Sequence, residues 1–412
     1  MQLTSLSARK ILNSRKEETI AVVAEAEGKK VEASAPSGKS RGKHEIRAFS
    51  SRGIDFSISF INALGKKLVE EKVNFEKFED LIEIEKFVKK YDQTPDFSFV
   101  GGNSLFAVQS AVLKAMALSQ EQELWKFLLE DKKKRPVMPR PLGNCIGGGM
   151  HAKQPKKADY QEFLLLPKTK HFFDSYFINM QAYKMAKTLL KEKDKEWQGK
   201  LTDESAFATT LDNESILELL LEVIEKIKDK FGIHLDLGID MASSSLMRGK
   251  IYKYKNFGSK GEKTMTKEEQ INYVAELCKK YSLLYVEDPL HEEDFDGFMR
   301  LRKKIPDALV CGDDLTTTNF ERVHKAIKIN AINAIIVKPN QIGSLIETKK
   351  VVDLVKKYDI IPIISHRSGE TMDNTIAHLA VGWQIPIIKA GILGKERLAK
   401  LNELLRIERG IK

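Results

Sequence analysis

LLYVEDPLHEEDFDGFMRLRKKIPDALVCGDDLTTTNFERVHKAIKINAINAIIVK, residues 283–338, holds short apolar runs separated by amphipathic segments. The runs read as strands and the segments between them as helices. Each strand closes on an ionisable residue, Glu287, Asp313 and Lys338, at a spacing of roughly 25 residues. That interval fits one strand, one helix and two loops, the repeat of a TIM-type barrel.

The same pattern continues outward. LDLGID ends at Asp240 upstream, further strands end near Ser365 and Lys389 downstream, and two more end near Cys145 and Leu166. Eight parallel strands covered by helices close a (β/α)8 barrel. The first part of the chain reads differently. IAVVAEAEG and KKVEASAP flank a Glu-Gly-Lys turn as strands, helical periodicity begins near Phe56, and residues 66–90 and 104–130 read as helical. The run DKKKRP then breaks the pattern. The expected chain is α/β, with an N-terminal α+β domain over residues 1–132 and a C-terminal TIM-like barrel over 133–412.

Composition narrows the function. At 412 residues, 42% hydrophobic and 31% charged, the chain supports a sizeable core in two domains. It has no apolar run of membrane-spanning length, and its first residues, MQLTSLSARKILNSR, lack a signal-peptide core, so a cytoplasmic location is expected. Cys145, Cys278 and Cys311 share no metal-binding spacing and read as reduced packing residues. The net charge of +10 is spread over lysines mixed with glutamates on helix faces, which argues against a nucleic-acid stripe. It is compatible with attraction of a multiply anionic metabolite.

Taken singly, an acid at a strand end is more often a helix cap or an ion-pair partner. Asp240, Glu287 and Asp313 recur on successive strands whose ends converge on one barrel mouth. Three carboxylates there need a compensating cation, and an all-oxygen ligand set suits Mg2+ better than zinc. Lys338 on the neighbouring strand then stands beside that cation, where positive charge and burial are expected to lower its pKa toward that of a base. Arg367 and Lys389 are suited to phosphate and carboxylate oxygens. SGKS at residues 37–40 lacks the full spacing of a phosphate-binding loop.

Several long segments, in order, carry a family resemblance. GDDLTTTN, IIVKPNQIGSLIET, ISHRSGETMDNTIAHLAV and ERLAKLNELLRIE closely resemble the C-terminal signatures of enolase. ARKILNSR, APSGKSRGKHE, GGNSLFAVQSAVLKA, GGGMHA and YQEF resemble its earlier segments, so the likeness covers almost the whole chain. It implies phosphopyruvate hydratase, the Mg2+-dependent interconversion of 2-phosphoglycerate and phosphoenolpyruvate in glycolysis and gluconeogenesis. It further implies that Asp240, Glu287 and Asp313 hold a tight Mg2+, and that Ser40 helps hold a second, substrate-dependent one. Lys338 is then the base and Glu204 the acid, with Glu162, His151 and His366 as supporting polar groups. Arg367, Ser368 and Lys389 hold substrate anions, and residues 37–44, with Gly38 and Gly42, form a mobile loop. The resemblance also implies a homodimer or octamer.

The departures lie in loops. The glycines that follow the family's acid are here Ser205 and Ala206, and Lys39 and Arg41 stand where small or uncharged residues are usual. A positive φ at either replaced glycine would strain the turn by about 1 kcal/mol and could displace Glu204. Lys39 and Arg41 either attract substrate or repel the second cation. Two other readings stay open: a non-catalytic enolase-like binding protein, and a superfamily lyase acting on a different carboxylate.

Overall fold

The computed structural model describes residues 1–39, 41–133 and 135–411. Strands β1 (Ser5–Leu12), β2 (Glu18–Ala26) and β3 (Lys29–Ser34) form an antiparallel meander. Helices α1 (Ile54–Glu70), α2 (Ile82–Tyr91), α3 (Gly102–Ser119) and α4 (Leu124–Leu128) follow. Helix α3 is apolar on nearly every side and buried along almost its whole length, so it is the spine of this half. It packs on β2 and β3 on one side and on the barrel helices on the other.

The barrel opens with β4 (Arg140–Gly147), β5 (Glu162–Pro167), α5 (Phe172–Lys193), β6 (Phe207–Ala208), α6 (Asn213–Phe231) and β7 (Leu235–Asp240). A small hairpin sheet, β8 (Met247–Arg248), β9 (Ile251–Tyr254) and β10 (Lys263–Met265), precedes α7 (Lys267–Tyr281). Regular alternation then runs through β11 (Leu283–Glu287), α8 (Phe295–Lys304), β12 (Leu309–Gly312), α9 (Phe320–Lys328) and β13 (Ala334–Val337). It ends with α10 (Pro339–Ile342), α11 (Leu345–Lys357), β14 (Ile361–Ser365), α12 (Thr375–Gly382), β15 (Ile387–Lys389) and α13 (Lys395–Gly410). Strand order β15-β14-β13-β12-β11-β7-β5-β4 closes through a β15–β4 pairing.

All eight expected barrel strands are present, but they are not all parallel. β5 runs antiparallel to both β4 and β7. The loop from Gly148 to Gln161 returns the chain at the mouth, so β5 starts there. Glu162, at its first position, faces the site while Leu166 lies toward the opposite end. The helical reading of residues 66–90 is also corrected. α1 stops at Glu70, Lys72 adopts a positive φ of 49°, and Val73 N–H caps back onto Leu68 O. Likewise, residues 104–130 break between α3 and α4, where Glu121 has a φ of 52°. Cys145, Cys278 and Cys311 are free and buried. Among the described residues no helix is long and apolar enough to cross a membrane.

Candidate active site

The barrel strands deliver their terminal side chains to one mouth because successive strands pair in register. Glu287 aligns with Asp240 across β11–β7 and with Cys311 across β11–β12, while Ser365 aligns with Lys389 across β14–β15. Gly38, Lys39, His151, Gln161, Glu162, Glu204, Asp240, Lys338, Ser365, His366, Arg367, Ser368 and Lys389 line a cavity of ≈ 20 Å³. Ser40 lies outside the described residues.

The acidic side of this mouth is balanced by lysine rather than left bare. The Lys389 ammonium donates to Glu287 Oε2 at 2.7 Å and Asp240 Oδ2 at 3.2 Å, and lies 3.1 Å from Glu162 Oε2. Lys338 is bonded to Asp313. Asp313 also accepts from Gln341 at 3.1 Å, and Asp240 from the Ala242 amide at 3.0 Å. Burial pushes the Glu287 carboxyl up to about 8, with the neighbouring Asp240 charge adding to the effect against Lys389. Glu162 is raised well above the usual range by burial and by Glu204. Burial opposes the Lys389 charge, yet Glu162, Glu287 and Asp240 together hold its pKa well above the usual lysine value.

Lys338 is pulled in both directions. Burial, Arg367 and Lys389 all act to lower its pKa, but Asp313 and Glu287 prevail and leave it raised. Without a cation on Asp313, the amine is an ion-pair partner that keeps its proton at neutral pH. Asp240 and Glu287 share the Lys389 ammonium, while Asp313 is bonded to Lys338. Among the described residues, the barrel-mouth sets with ligand atoms within 4.8 Å of one another are His151–Glu162–Glu204 and Asp288–Asp313–Asp314. Lys389, reaching between Asp240 and Glu287, supplies the charge that keeps these acids together.

A cation still fits this donor set. Glu287 Oε1 is fully buried and has no hydrogen-bond partner, and the available donors are hard carboxylate oxygens. Buried polar atoms without a hydrogen bond gather at this mouth on His151, Gln161 and His366, and on Asn144 beside Glu204. Such atoms are costly unless a ligand or solvent satisfies them.

Glu204 lines the same cavity, with His151 and Glu162 close by. Its turn is closed by Thr202 N–H on Ala206 O at 2.8 Å and Ser205 N–H on Thr202 O at 3.1 Å. Ser205 takes a φ of 63°, so one of the two replaced glycines does sit in the left-handed region; Ala206 does not. The turn nevertheless keeps Glu204 buried and aimed inward. Asn144 Nδ2 donates to it at 3.1 Å, His366 Nε2 lies 3.4 Å away and His151 Nδ1 3.8 Å. Burial opposes Glu204 ionisation, while His366 and His151, when charged, hold its carboxyl well below the usual range. Burial depresses both imidazoles as well, against the pull of the Glu204 charge.

Arg367 lines the cavity with two arms already engaged, one on Asn340 Oδ1 at 3.0 Å and one on both Glu45 oxygens at 3.0 and 2.9 Å. Ser368 Oγ accepts from the Lys39 amide at 2.9 Å and from Arg15 at 3.2 Å, which leaves its proton to donate. Sequence reasoning did not single out Glu45, Gln161, Asp288 or Arg397. Asp288 accepts the amides of Asp313 and Asp314, and Arg397 holds the carbonyls of Arg367 and Ser368. Gln161, Asp288 and Glu45 were visible as neighbours of quoted motif residues, but nothing local distinguished them from surface polar groups.

Two family profiles cover this chain. "Enolase, N-terminal domain" matches residues 3–128, and "Enolase, C-terminal TIM barrel domain" matches residues 135–412. The chain belongs to the enolase family. Curated relatives agree over nearly their full lengths. The enolase of Methanosphaera stadtmanae is 40% identical, covering 97% of this chain and 95% of the relative. That of Methanothermobacter thermautotrophicus is 38% identical, covering 99% and 97%, and that of Archaeoglobus fulgidus 37%, covering 99% and 97%. Enolases are lyases, so the activity class follows from membership. The antiparallel β5 is thus part of an enolase barrel, and it brings Glu162 to the mouth.

Proposed function

We propose that this chain catalyses the reversible, Mg2+-dependent dehydration of 2-phosphoglycerate to phosphoenolpyruvate, with Lys338 and Glu204 moving the protons. The observation that carries this reading is that Lys338, Glu204, Lys389 and the His366–Ser368 turn line one small cavity.

In the dehydration direction, Lys338 Nζ takes the proton from the carbon beside the substrate carboxylate. Glu204 gives a proton to the hydroxyl leaving the next carbon, so that water departs and the carbon–carbon double bond forms. Asp240, Glu287 and Asp313 are the residues that would hold the cation, and Ser40 is assigned to a second one. A bound Mg2+ supplies positive charge against the second negative charge that builds on the substrate carboxylate. Asp313 is the main partner that raises the Lys338 pKa, so a cation held on Asp313 would free Lys338 to act as the base. Lys389, Arg367 and the Ser368 hydroxyl hold substrate oxygens, and His151, Glu162 and His366 shape the polar surroundings of Glu204.

Mixing the purified protein with 2-phosphoglycerate and Mg2+ should raise the ultraviolet absorbance of phosphoenolpyruvate, and Lys338→Ala should abolish the rise while leaving the fold intact. No signal at saturating metal and substrate would refute the reading. The division into domains at residues 132/133, a cytoplasmic location and assembly as a homodimer or octamer belong to the same proposal. Light scattering measures the last.

A further inference from the structure

Lys39 touches both turns that face the substrate cavity. Its backbone N–H donates to Ser368 Oγ at 2.9 Å, and its ammonium donates to Asp203 Oδ2 at 3.1 Å. Asp203 is the residue immediately before Glu204. One residue therefore straps the turn carrying Glu204 to the turn carrying His366, Arg367 and Ser368. The ion pair is sheltered, with side chains 24% and 11% exposed, so solvent screens it less than a surface pair. Lys153 lies 4.0 Å from the other Asp203 oxygen but is 85% exposed and adds little.

The Glu204 turn has reason to need such a strap. Ser205 holds a φ of 63°, a conformation disfavoured for a residue with a Cβ. The turn is also held by its own Thr202 bonds, by Asn144 on Glu204, and by Tyr183 Oη, which donates to Ser205 O at 2.7 Å. On the cavity side, the Asp203–Lys39 pair fixes the backbone next to Glu204.

We propose that Lys39 is a positioning residue, which through Asp203 holds the Glu204 turn in register with the Ser368 turn. This rests on the reading of Glu204 as the acid. It gives Lys39 a third role beside the two open from sequence, since an ammonium paired to Asp203 serves the protein rather than the substrate or a cation.

Kinetics and amide hydrogen exchange on the full chain test it. Lys39→Met and Asp203→Asn should each lower kcat about tenfold, as small misplacements of a reacting group do, with KM changed less than about threefold. The double variant should be no slower than the worse single one, Lys39→Arg should recover at least about half of kcat, and Lys153→Ala should stay within about twofold of the parent. Exchange of residues 202–206 without substrate should quicken in both single variants. That readout needs no turnover, so it stands apart from failure of the enolase reading itself. Unchanged exchange, strictly additive kcat losses, or a change confined to KM would overturn the proposal.

Discussion

At the residue scale, the site shows how few side chains need replacing to alter a turn. Ser205 occupies a left-handed φ of 63° where the family resemblance expects glycine, and Ala206 does not share that conformation. Strain of this kind costs about 1 kcal/mol, partly offset in a glycine variant by the larger entropy of its unfolded chain. Ser205→Gly should therefore stabilise the protein by up to about 0.5 kcal/mol, read as a higher urea midpoint. A fall would mean that the Ser205 hydroxyl contributes more than its backbone costs. Charged strand ends such as Asp240, Glu287 and Lys338 were legible in the sequence because packing gives no reason for them. Their pairings were not, because Lys389–Asp240 and Lys389–Glu287 join residues far apart in the chain.

At the element scale, strands were easier to read than their directions. Apolar runs located every barrel strand. β5, however, is buried at every position, and a run without alternation says nothing about which end meets the mouth. β1 escaped for the opposite reason: its pattern is largely exposed, with Leu6 its one fully buried position. The packing of α12 on α13 illustrates charge used structurally. Glu123, His378 and Glu403 come close enough to resemble a metal site, but Arg406 already bonds both carboxylates. Burial acts to raise the Glu403 carboxyl, and His378 and Arg406 overcome it, bringing it down to about 2. A depressed carboxyl stabilises the fold fully above its unfolded value and progressively less as pH falls through its folded one. Glu403→Gln should thus cost about 1 kcal/mol at neutral pH, discounted for partial exposure. The gap between parent and variant in urea denaturation should close as the pH drops from about 4.5 toward about 2.

At the scale of the whole molecule, the site belongs to neither half alone. Glu45 reaches from the N-terminal half to Arg367, Ser37 pairs with Gly369, and Pro36 O accepts from both Asn103 and Asn340. The halves approach closely at Gly343, where α10 ends against the start of α3. Its φ is 74°, and a Cβ there would fall 2.8 Å from both Gly102 Cα and Gly102 O, which are backbone atoms with little room to yield. Gly343→Ala combines left-handed strain with a backbone clash and should cost about 2–4 kcal/mol. The same push displaces α10, whose Asn340 bonds Arg367 and whose Gln341 bonds Asp313, and Lys338 is the residue that caps it. The variant should therefore lose turnover out of proportion to its unfolded fraction at the assay temperature. A variant that melts earlier yet turns over at the parental rate per folded molecule would show that the two halves stabilise each other without jointly positioning the base.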